Sequence, residues 1–315
     1  MAGIYVHIPF CHSKCIYCDF FSTPNLTTSD ALINALIKEY GRRSTEINEP
    51  IKTIYFGGGT PSIIAPERLA RVCKIFPLSN IEEFTIEVNP EDVNQVSVKA
   101  WRDIGVNRVS MGIQSFCDDE LRSIGRRHSA DDARRAIKCL LDGGITNISC
   151  DLIYGLPGQG IESWRRSLSE LLSYRLPHIS AYCLSYEPGT ALYARMTAGK
   201  ITPTDDMILA EMYQYFCEAA ADAGYEHYEI SNFALPGMRS RHNSSYWNET
   251  PYLGLGPGAH SFDGSVRRFN TNDLKTYIRT ADITVIDEET ADERFNDKLI
   301  TALRTADGLD LNTLT

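Results

Sequence analysis

The sequence predicts an α/β fold, an incomplete parallel (β/α)6 barrel that is open on one side and is followed by a partial C-terminal extension. Short β-prone runs alternate with helical stretches six times within residues 1–224. Alternation at this spacing is typical of parallel strands with helices packed outside them. The chain has 315 residues, 43% of them hydrophobic, which is enough to fill such a core. A doubly wound open sheet is the alternative.

Each predicted strand of the barrel is a buried apolar run that ends in polar or glycine-rich residues. The predicted strands are 4–9, 53–56, 84–88, 108–114, 147–153 and 179–184. Helix ends are marked by Pro66 at a first helical position, by Thr204-Asp205-Asp206 as an N-cap and by Gly224 as a C-terminal glycine. Beyond the barrel, the pattern predicts one strand at 225–233, a glycine-rich loop segment to about residue 263, and a helix at 293–304.

Charge and composition exclude several function classes. The formal net charge is -10, which argues against a broad nucleic-acid-binding surface. The sequence has no run of 18 apolar residues, and its start lacks the charged and apolar regions of a signal peptide. We therefore expect a cytoplasmic protein. Its nine cysteines then predict thiols or metal ligands and not a disulfide framework.

Three of these cysteines, Cys11, Cys15 and Cys18, lie in one short loop after the first strand. A [4Fe–4S] cluster is usually held by four thiolates, so three thiols predict a cluster with one iron left for another ligand. The alternatives are a zinc site or three ordinary buried cysteines. Zinc sites usually need a second pair of ligands at a distance, and the sequence offers no such pair. His12 is expected to be an exposed residue and not a ligand.

Further polar groups follow the predicted strands, where functional groups gather in barrels of parallel strands. Gly57-Gly58-Gly59 allows a close backbone approach to a ligand, although a tight turn is the alternative. Glu87, Gln114 and Asp151 could recognise hydroxyl and amine groups, although each alone could be a solvated side chain. Arg126 could pair with a ligand carboxylate or be structural. Together these residues predict a ligand site at one edge of the sheet.

Taken in order, the motifs resemble the radical S-adenosylmethionine (SAM) family. The similarity is carried by residues 5–11 (Tyr-Val-His-Ile-Pro-Phe-Cys), 57–61 (Gly-Gly-Gly-Thr-Pro), Glu87, 110–116 (Ser-Met-Gly-Ile-Gln-Ser-Phe) and 151–157 (Asp-Leu-Ile-Tyr-Gly-Leu-Pro). The resemblance implies that Cys11, Cys15 and Cys18 bind a [4Fe–4S] cluster whose open iron is chelated by SAM. The positions that it implies for SAM binding are Tyr5, Tyr17, Gly58, Gly59, Thr60, Glu87, Gln114, Arg126 and Asp151. Tyr17 stands where the family often has phenylalanine.

Within that family the chain resembles the subfamily of oxygen-independent coproporphyrinogen III oxidases and HemW-like heme chaperones. The oxidases have a further cysteine two residues after the third, where this chain has Phe20. The segment 242–247, His-Asn-Ser-Ser-Tyr-Trp, matches a motif of the HemW-like group. On an aromatic-lined loop, His242 could ligate heme iron or stack near a porphyrin. The alternative for His242 is a hydrogen-bonded structural role.

The resemblance implies a division into a barrel at 1–224, an extension with the histidine motif at 225–290, and the start of a C-terminal helical domain at 291–315 that looks truncated. It predicts a heme chaperone that holds the cluster and SAM and passes heme to apo-hemoproteins such as respiratory enzymes. This function would bring peripheral contact with a membrane, and it leaves a homodimer open. The alternatives are an enzyme that oxidatively decarboxylates coproporphyrinogen III, and a zinc-stapled domain without catalysis.

Overall fold

Six parallel strands form the centre of the structure, a computed structural model that describes residues 1–311. They are β1 Ala2–Ile8, β2 Ile51–Gly58, β3 Glu83–Val88, β4 Arg108–Gln114, β5 Asn147–Tyr154 and β6 His178–Cys183. Each pairs in parallel with the next along the chain, so the strand order follows the sequence. Strands β1 and β6 do not pair with each other within the described chain, and the barrel is therefore incomplete.

Six further strands extend this sheet at both open edges. They are β7 Glu226–Glu229, β8 Asn232–Ala234, β9 Tyr252–Leu255, β10 His260–Phe262, β11 Arg267–Asn270 and β12 Thr284–Asp287. Strand β9 pairs in parallel with β1, and β10 to β12 continue outward in antiparallel order. On the other side, β8 pairs antiparallel with β6, and β7 with β8. The extension thus continues the sheet of the barrel.

The helices follow the strands in chain order. They are α1 Ser29–Arg43, α2 Pro66–Cys73, α3 Gln95–Asp103, α4 Asp118–Ser123, α5 Ala130–Asp142, α6 Ile161–Ser173, α7 Ala191–Thr197, α8 Asp206–Asp222, α9 Arg241–Trp247, α10 Leu274–Thr280 and α11 Ala291–Ala302. No helix within residues 1–311 is long and apolar enough to cross a membrane.

Alternation along the strands separates an apolar core from a polar barrel interior. In β4 and β5, Val109 and Ile148 are fully buried in the main hydrophobic core, which they share with Trp164 of α6. The intervening residues point to the opposite face, since successive strand side chains alternate. That face carries polar groups such as Ser110 and Asp151, which line a cavity. The barrel therefore packs outward on its helices and offers polar groups inward.

The fold class that the sequence predicts is confirmed, and each barrel strand lies within about two residues of its predicted bounds. Two expectations for the extension were wrong. The run 225–233 is not one strand, because a turn at 230–231 divides it into β7 and β8. The segment before residue 263 is not all loop, because it contains α9, β9 and β10. The helix predicted at 293–304 is α11, and residues 312–315 of the predicted C-terminal segment lie outside the described residues.

Candidate cofactor site

A cavity of about 490 Å³ opens where the parallel strands end, and the cysteine loop forms one of its walls. All but one of the cluster and SAM positions implied by the sequence line this cavity. They are Cys11, Cys15, Tyr17, Cys18, Gly58, Gly59, Thr60, Glu87, Gln114, Arg126 and Asp151. The exception is Tyr5, which is absent from the cavity wall. The fold thus brings residues from the cysteine loop, from the ends of β2 to β5, and from the loops after β2 and α4 to a single site.

Backbone hydrogen bonds hold the cysteine loop in place at both of its ends. The Cys11 amide donates to the Thr23 carbonyl over 3.1 Å. The Ile16 amide donates to the Ile124 carbonyl over 3.2 Å, and the Leu192 amide donates to the Ile16 carbonyl over 2.7 Å. Ile16 and Tyr17 also pack against a small apolar cluster of Ile124, Ile153, Leu156, Leu184 and Leu192. The loop therefore holds its shape through contacts with α4 and α7.

The three thiols are half-buried, and polar donors lie next to two of them. The Thr60 hydroxyl donates to Cys11 Sγ over 3.5 Å, and the Arg126 guanidinium donates to Cys15 Sγ over 3.6 Å. Burial raises the pKa of Cys11, and it raises the pKa of Cys18 to about 11. These two groups are therefore thiols at neutral pH until a metal displaces their protons. The neighbouring donors favour the thiolate form that a metal requires.

The glycine run lies against the end of β1, and its close packing explains two of its glycines. Gly58 has φ +109°, and a Cβ there would lie 2.5 Å from the His7 ring. A Cβ on Gly59 would lie 2.5 Å from the Phe10 carbonyl oxygen. The Thr60 amide donates to that same carbonyl over 2.7 Å. Because only glycine tolerates this approach, the run reaches the cavity directly beside the cysteine loop.

Two half-buried carboxylates face the cavity from β3 and β5. Glu87 accepts hydrogen bonds from the Tyr55 hydroxyl over 2.8 Å and from the Gly58 amide over 3.0 Å. Burial raises the pKa of Glu87 to about 7. The Ser110 hydroxyl donates to Asp151 over 3.4 Å, and burial raises the pKa of Asp151 to about 6. Both groups can accept hydrogen bonds from ligand hydroxyls or an ammonium group.

Gln114 and Arg126 each carry a buried polar atom that has no hydrogen-bond partner among residues 1–311. Gln114 has φ +66°, and its buried Oε1 finds no hydrogen-bond partner among residues 1–311. Arg126 donates to the Asn89 side chain over 2.7 Å and to the Gly112 carbonyl over 2.6 Å. Its buried Nε has no acceptor in the described chain. An unpaired amide oxygen and an arginine at one cavity fit a ligand with an ammonium and a carboxylate group.

No three His, Cys, Asp or Glu side chains within residues 1–311 gather around one ion-sized point. A cubane cluster does not need such a gathering, because each of its cysteines binds a different iron. The fit to a cluster therefore depends on the shared cavity wall of Cys11, Cys15 and Cys18 and on their neighbouring donors. His12 hydrogen-bonds Asp92 over 3.1 Å, outside the wall of the large cavity.

His242 lies on helix α9 and not on a loop, and it is absent from the cavity wall. Its side chain is fully buried, with Nδ1 2.9 Å from the Thr53 hydroxyl and Nε2 3.0 Å from the Tyr246 hydroxyl. In this arrangement both ring nitrogens are engaged. A heme iron could reach either nitrogen only if it displaced the hydroxyl that bonds to it.

The structure adds lining residues that sequence reasoning did not select. Asn89 and Ser110 belong to stretches already noted, because Asn89 follows Glu87 by two positions and Ser110 begins the 110–116 motif. Their positions at strand ends could have marked them. Tyr182 of β6 also lines the cavity and is 42% exposed. No motif in the sequence pointed to Tyr182.

Comparison with known proteins places this chain among its relatives. Residues 5–171 match the Radical SAM superfamily. The chain is 39% identical to the heme chaperone HemW of Lactococcus lactis over 284 residues, which cover 88% of this chain and 74% of that protein. The chain belongs to the HemW family of radical SAM proteins. A HemW-family protein of Mycobacterium tuberculosis is 34% identical and covers 99% of this chain and 84% of its own length.

A solved structure supports the fold of this HemW-family chain. Coproporphyrinogen III oxidase HemN from Escherichia coli superposes with a TM-score of 0.83 and covers 99% of this chain and 77% of its own. The two sequences are 24% identical, so the likeness establishes the shared fold alone. It confirms the incomplete radical SAM barrel predicted from the strand–helix alternation.

Proposed function

We propose that this protein is a heme chaperone that carries a [4Fe–4S] cluster and SAM and delivers heme to apo-hemoproteins such as respiratory enzymes. The observation that carries the proposal is its 34–39% identity to HemW proteins, over 88–99% of this chain. Those relatives are named heme chaperones. The cavity supports the cofactor part of the proposal, because it collects the residues that such cofactors require.

In this proposal Cys11, Cys15 and Cys18 would hold three irons of the cluster, and the fourth would accept the methionine end of SAM. When bound, the reduced cluster can supply an electron that cleaves SAM to methionine and a 5′-deoxyadenosyl radical. Arg126 would face the carboxylate of SAM, and the open Oε1 of Gln114 would accept from a donor group.

The remaining wall groups would orient the rest of SAM. Glu87 and Asp151 would accept hydrogen bonds from the ammonium or ribose hydroxyls, in their ionised forms. Gly58, Gly59 and Thr60 would offer backbone and hydroxyl groups at close range, since the run has almost no side-chain bulk there. Tyr17 would close the cavity beside Cys18.

The proposal also includes heme and an apo-hemoprotein recipient as partners. It includes peripheral contact with a membrane, a homodimer and a cytoplasmic location. Identity to HemW proteins supports heme and a hemoprotein as the partners. The heme ligand stays unassigned. His242 remains a prediction that a variant can test, although both of its nitrogens are engaged in the folded chain.

The test is an anaerobic heme titration of the reconstituted protein. We expect a Soret band that saturates with heme, and transfer of that heme to the apo-form of a respiratory cytochrome. A Cys15→Ser variant serves as the control for the cluster: its iron and sulfide content should fall. If the full chain gives no Soret band, the chaperone proposal fails.

The alternative function is radical oxidative decarboxylation of the propionates of coproporphyrinogen III. The same reconstituted sample, given dithionite, SAM and coproporphyrinogen, decides between the two. Phe20, which is 64% exposed on the cavity wall, stands where the oxidases carry a further cysteine. We expect no protoporphyrinogen product, and its formation would favour the enzyme.

A further inference from the structure

The histidine of the 242–247 motif is connected to the cavity by a short series of side chains. His242 sits at the N-terminal end of the barrel strands, opposite the cavity. We propose that His242 is a positioning residue for cofactor binding: by packing on Tyr55 it holds the Glu87 carboxylate in the orientation that SAM needs. This inference rests on the proposed binding of SAM, and it assigns the motif a role other than heme ligation.

The first step is the fixed position of the His242 ring. Glu83, at the start of β3, accepts hydrogen bonds from the backbone amides of Arg241 and His242, each over 2.9 Å. A carboxylate at these first helical amides anchors the start of α9. The two ring nitrogens bond to hydroxyls of Thr53 and Tyr246. The ring therefore has one orientation, set from three elements.

The neighbouring strand is built to leave room for this ring. Gly3 of β1 lies so close that a Cβ on it would be 2.6 Å from the Thr53 hydroxyl and 3.0 Å from His242 Nδ1. A side chain at this position would push the histidine away from β2. The small residue and the buried ring thus form one packing unit.

The second step connects the ring to the carboxylate. His242 stacks on Tyr55 with ring centroids 5.1 Å apart and an interplanar angle of 26°. The Tyr55 hydroxyl donates to Glu87 over 2.8 Å, and Glu87 lines the cavity. Because the Tyr55 ring is packed from below by His242, its hydroxyl is held at the carboxylate. Loss of the stack would free the tyrosine and weaken this bond.

A parallel series reaches the cysteine loop. Tyr5 stacks on His242 at 6.4 Å, and its hydroxyl lies 3.1 Å from His7 Nδ1. His7 Nε2 lies 3.2 Å from the Phe21 carbonyl, just after the third cysteine of the loop. This series explains why Tyr5 belongs to the family pattern although it is absent from the cavity wall. It supports the first series by fixing the same ring from β1.

Several charged and titratable groups face Glu87 besides Tyr55. Asp151 of β5 disfavours its ionised form, and Arg108 of β4 favours it. Tyrosines near enough to feel its charge come from four elements: Tyr5, Tyr55, Tyr182 and Tyr246. Tyr55 is the group that donates a hydrogen bond to this carboxylate from a side chain. Removal of that donor should therefore make the Glu87 anion less favourable.

The first experiment measures SAM affinity of the cluster-bound protein by calorimetry. Tyr55→Phe, which keeps the ring and removes the hydroxyl, should weaken binding roughly tenfold. His242→Ala should weaken it similarly, and the double variant should lose no more than either single variant, because the residues act in series. His242→Phe keeps the stack and should restore most of the affinity.

His227→Ala is the matched control, because His227 lies on β7 at the far edge of the sheet, where its ring stacks on Phe233 and packs edge-on against Tyr213. It should bind SAM as the unaltered protein does. Unchanged affinity in both Tyr55→Phe and His242→Ala, or additive losses in the double variant, would overturn the inference. Failure of the unaltered protein to bind SAM would instead contradict the proposed function.

A second measurement needs no SAM. The carboxyl resonance of Glu87, assigned through Glu87→Gln in the full chain as purified, reports its pKa by carbon NMR. We expect the pKa to rise in Tyr55→Phe and in His242→Ala and to stay unchanged in His227→Ala. An unchanged Glu87 pKa in His242→Ala would overturn the series from histidine to carboxylate. Heme spectra that change in both His242→Ala and His242→Phe would likewise contradict it, since phenylalanine keeps the ring stack and lacks only the nitrogens that could ligate iron.

Discussion

Burial and hydrogen bonding shift the pKa of the Glu87 carboxyl in opposite directions. Removal from water raises its pKa to about 7, while the donors on Tyr55 and Gly58 favour its ionised form. Asp151 shows the same conflict, with burial raising its pKa to about 6. Both carboxyls therefore titrate near neutral pH. A cofactor that needs acceptors at this wall should bind in a pH-dependent way.

The first prediction concerns that pH dependence. Because both carboxyls are ionised only above their raised pKa values, SAM affinity should be highest near pH 8. Below pH 7 it should fall by up to about tenfold per pH unit. Calorimetric titrations between about pH 5 and about pH 8, which extend about 1 unit beyond both pKa values, measure this. Glu87→Gln should bind SAM more weakly, and its SAM affinity should no longer change with pH near pH 7. If the affinity of this variant still changes near pH 7 as in the unaltered protein, that change does not come from Glu87.

The second prediction concerns Gln114, a residue held at φ +66° with an unpaired amide oxygen. A non-glycine residue costs about 1 kcal/mol or more in this backbone region. Gln114→Gly should therefore keep or raise the melting temperature while it weakens SAM binding, because the acceptor is lost. Thermal unfolding and SAM titration of one sample measure both. Tight SAM binding by the glycine variant would show that Oε1 is not an acceptor for SAM.

At the scale of elements, the cysteine loop and the glycine run are held against the same strand end. The Thr60 amide bonds to the Phe10 carbonyl, and the Cys11 amide bonds to the Thr23 carbonyl. The position of the first thiol therefore depends on the backbone path of residues 58–60. A substitution in the glycine run should therefore reduce cluster binding more than it disturbs the rest of the barrel.

Gly59→Ala tests this dependence. Its Cβ would lie 2.5 Å from the Phe10 carbonyl, so backbone must move, and we expect about 1–3 kcal/mol of destabilisation with reduced iron and sulfide content. Gly41→Ala is the control, since nothing lies within 4 Å of a Cβ on this α1 glycine. It should stabilise the protein by roughly 1 kcal/mol through helix propensity. Full cluster loading of Gly59→Ala would be evidence against the dependence.

The same scale shows what sequence patterns could predict. The barrel strands were predictable because each buried run is apolar and ends at glycine or a polar residue, and Arg108–Gln114 was predicted with the bounds observed. Helix α9 was not, because its start depends on Glu83, a residue from a strand 158 positions earlier. Ser240 is an N-cap whose side chain accepts from Asn243, and it was the one local signal for that helix.

For the whole molecule, the extension is attached to the barrel by a buried ionic network. Glu39 of α1 is 1% exposed and accepts from Arg43 of the same helix. It also accepts from the Gly256 amide, the Asn270 side chain and the Tyr277 hydroxyl, which are 217 to 238 residues away. These contacts join β11, α10 and the turn after β9 to the first helix. Such distant partners leave no periodic signal, so the sequence could not reveal this attachment.

Glu39→Ala should therefore destabilise the chain by about 3–5 kcal/mol, because it removes the buried acceptor of three donors and one of the two carboxylates that pair with Arg43. Urea unfolding followed by circular dichroism measures the loss. Glu49→Ala, at an exposed position shortly after the same helix, should change stability by less than about 0.5 kcal/mol. Equal stability of the two variants would contradict the role of this network.

The residues that line the cavity were easier to predict from the sequence than the residues that pack behind them. Local motifs marked Cys11, Glu87 and Asp151, since strand ends and cysteine spacing are visible in one short stretch each. The residues that pack behind them lie on other strands and helices: Tyr55 belongs to no motif, and the motif that contains His242 gave no sign of its contact with Tyr55. Spatial neighbours of a site are set by strand pairing, which the linear sequence encodes only indirectly.

The central claim is that Cys11, Cys15 and Cys18 hold a [4Fe–4S] cluster with one iron open to SAM. Mössbauer spectroscopy of ⁵⁷Fe-reconstituted protein, prepared without oxygen and recorded with and without SAM, tests it most directly. We predict a cubane spectrum in which one iron of four changes its parameters when SAM is added. A spectrum that lacks the cubane, or one in which no iron responds to SAM, would contradict the account.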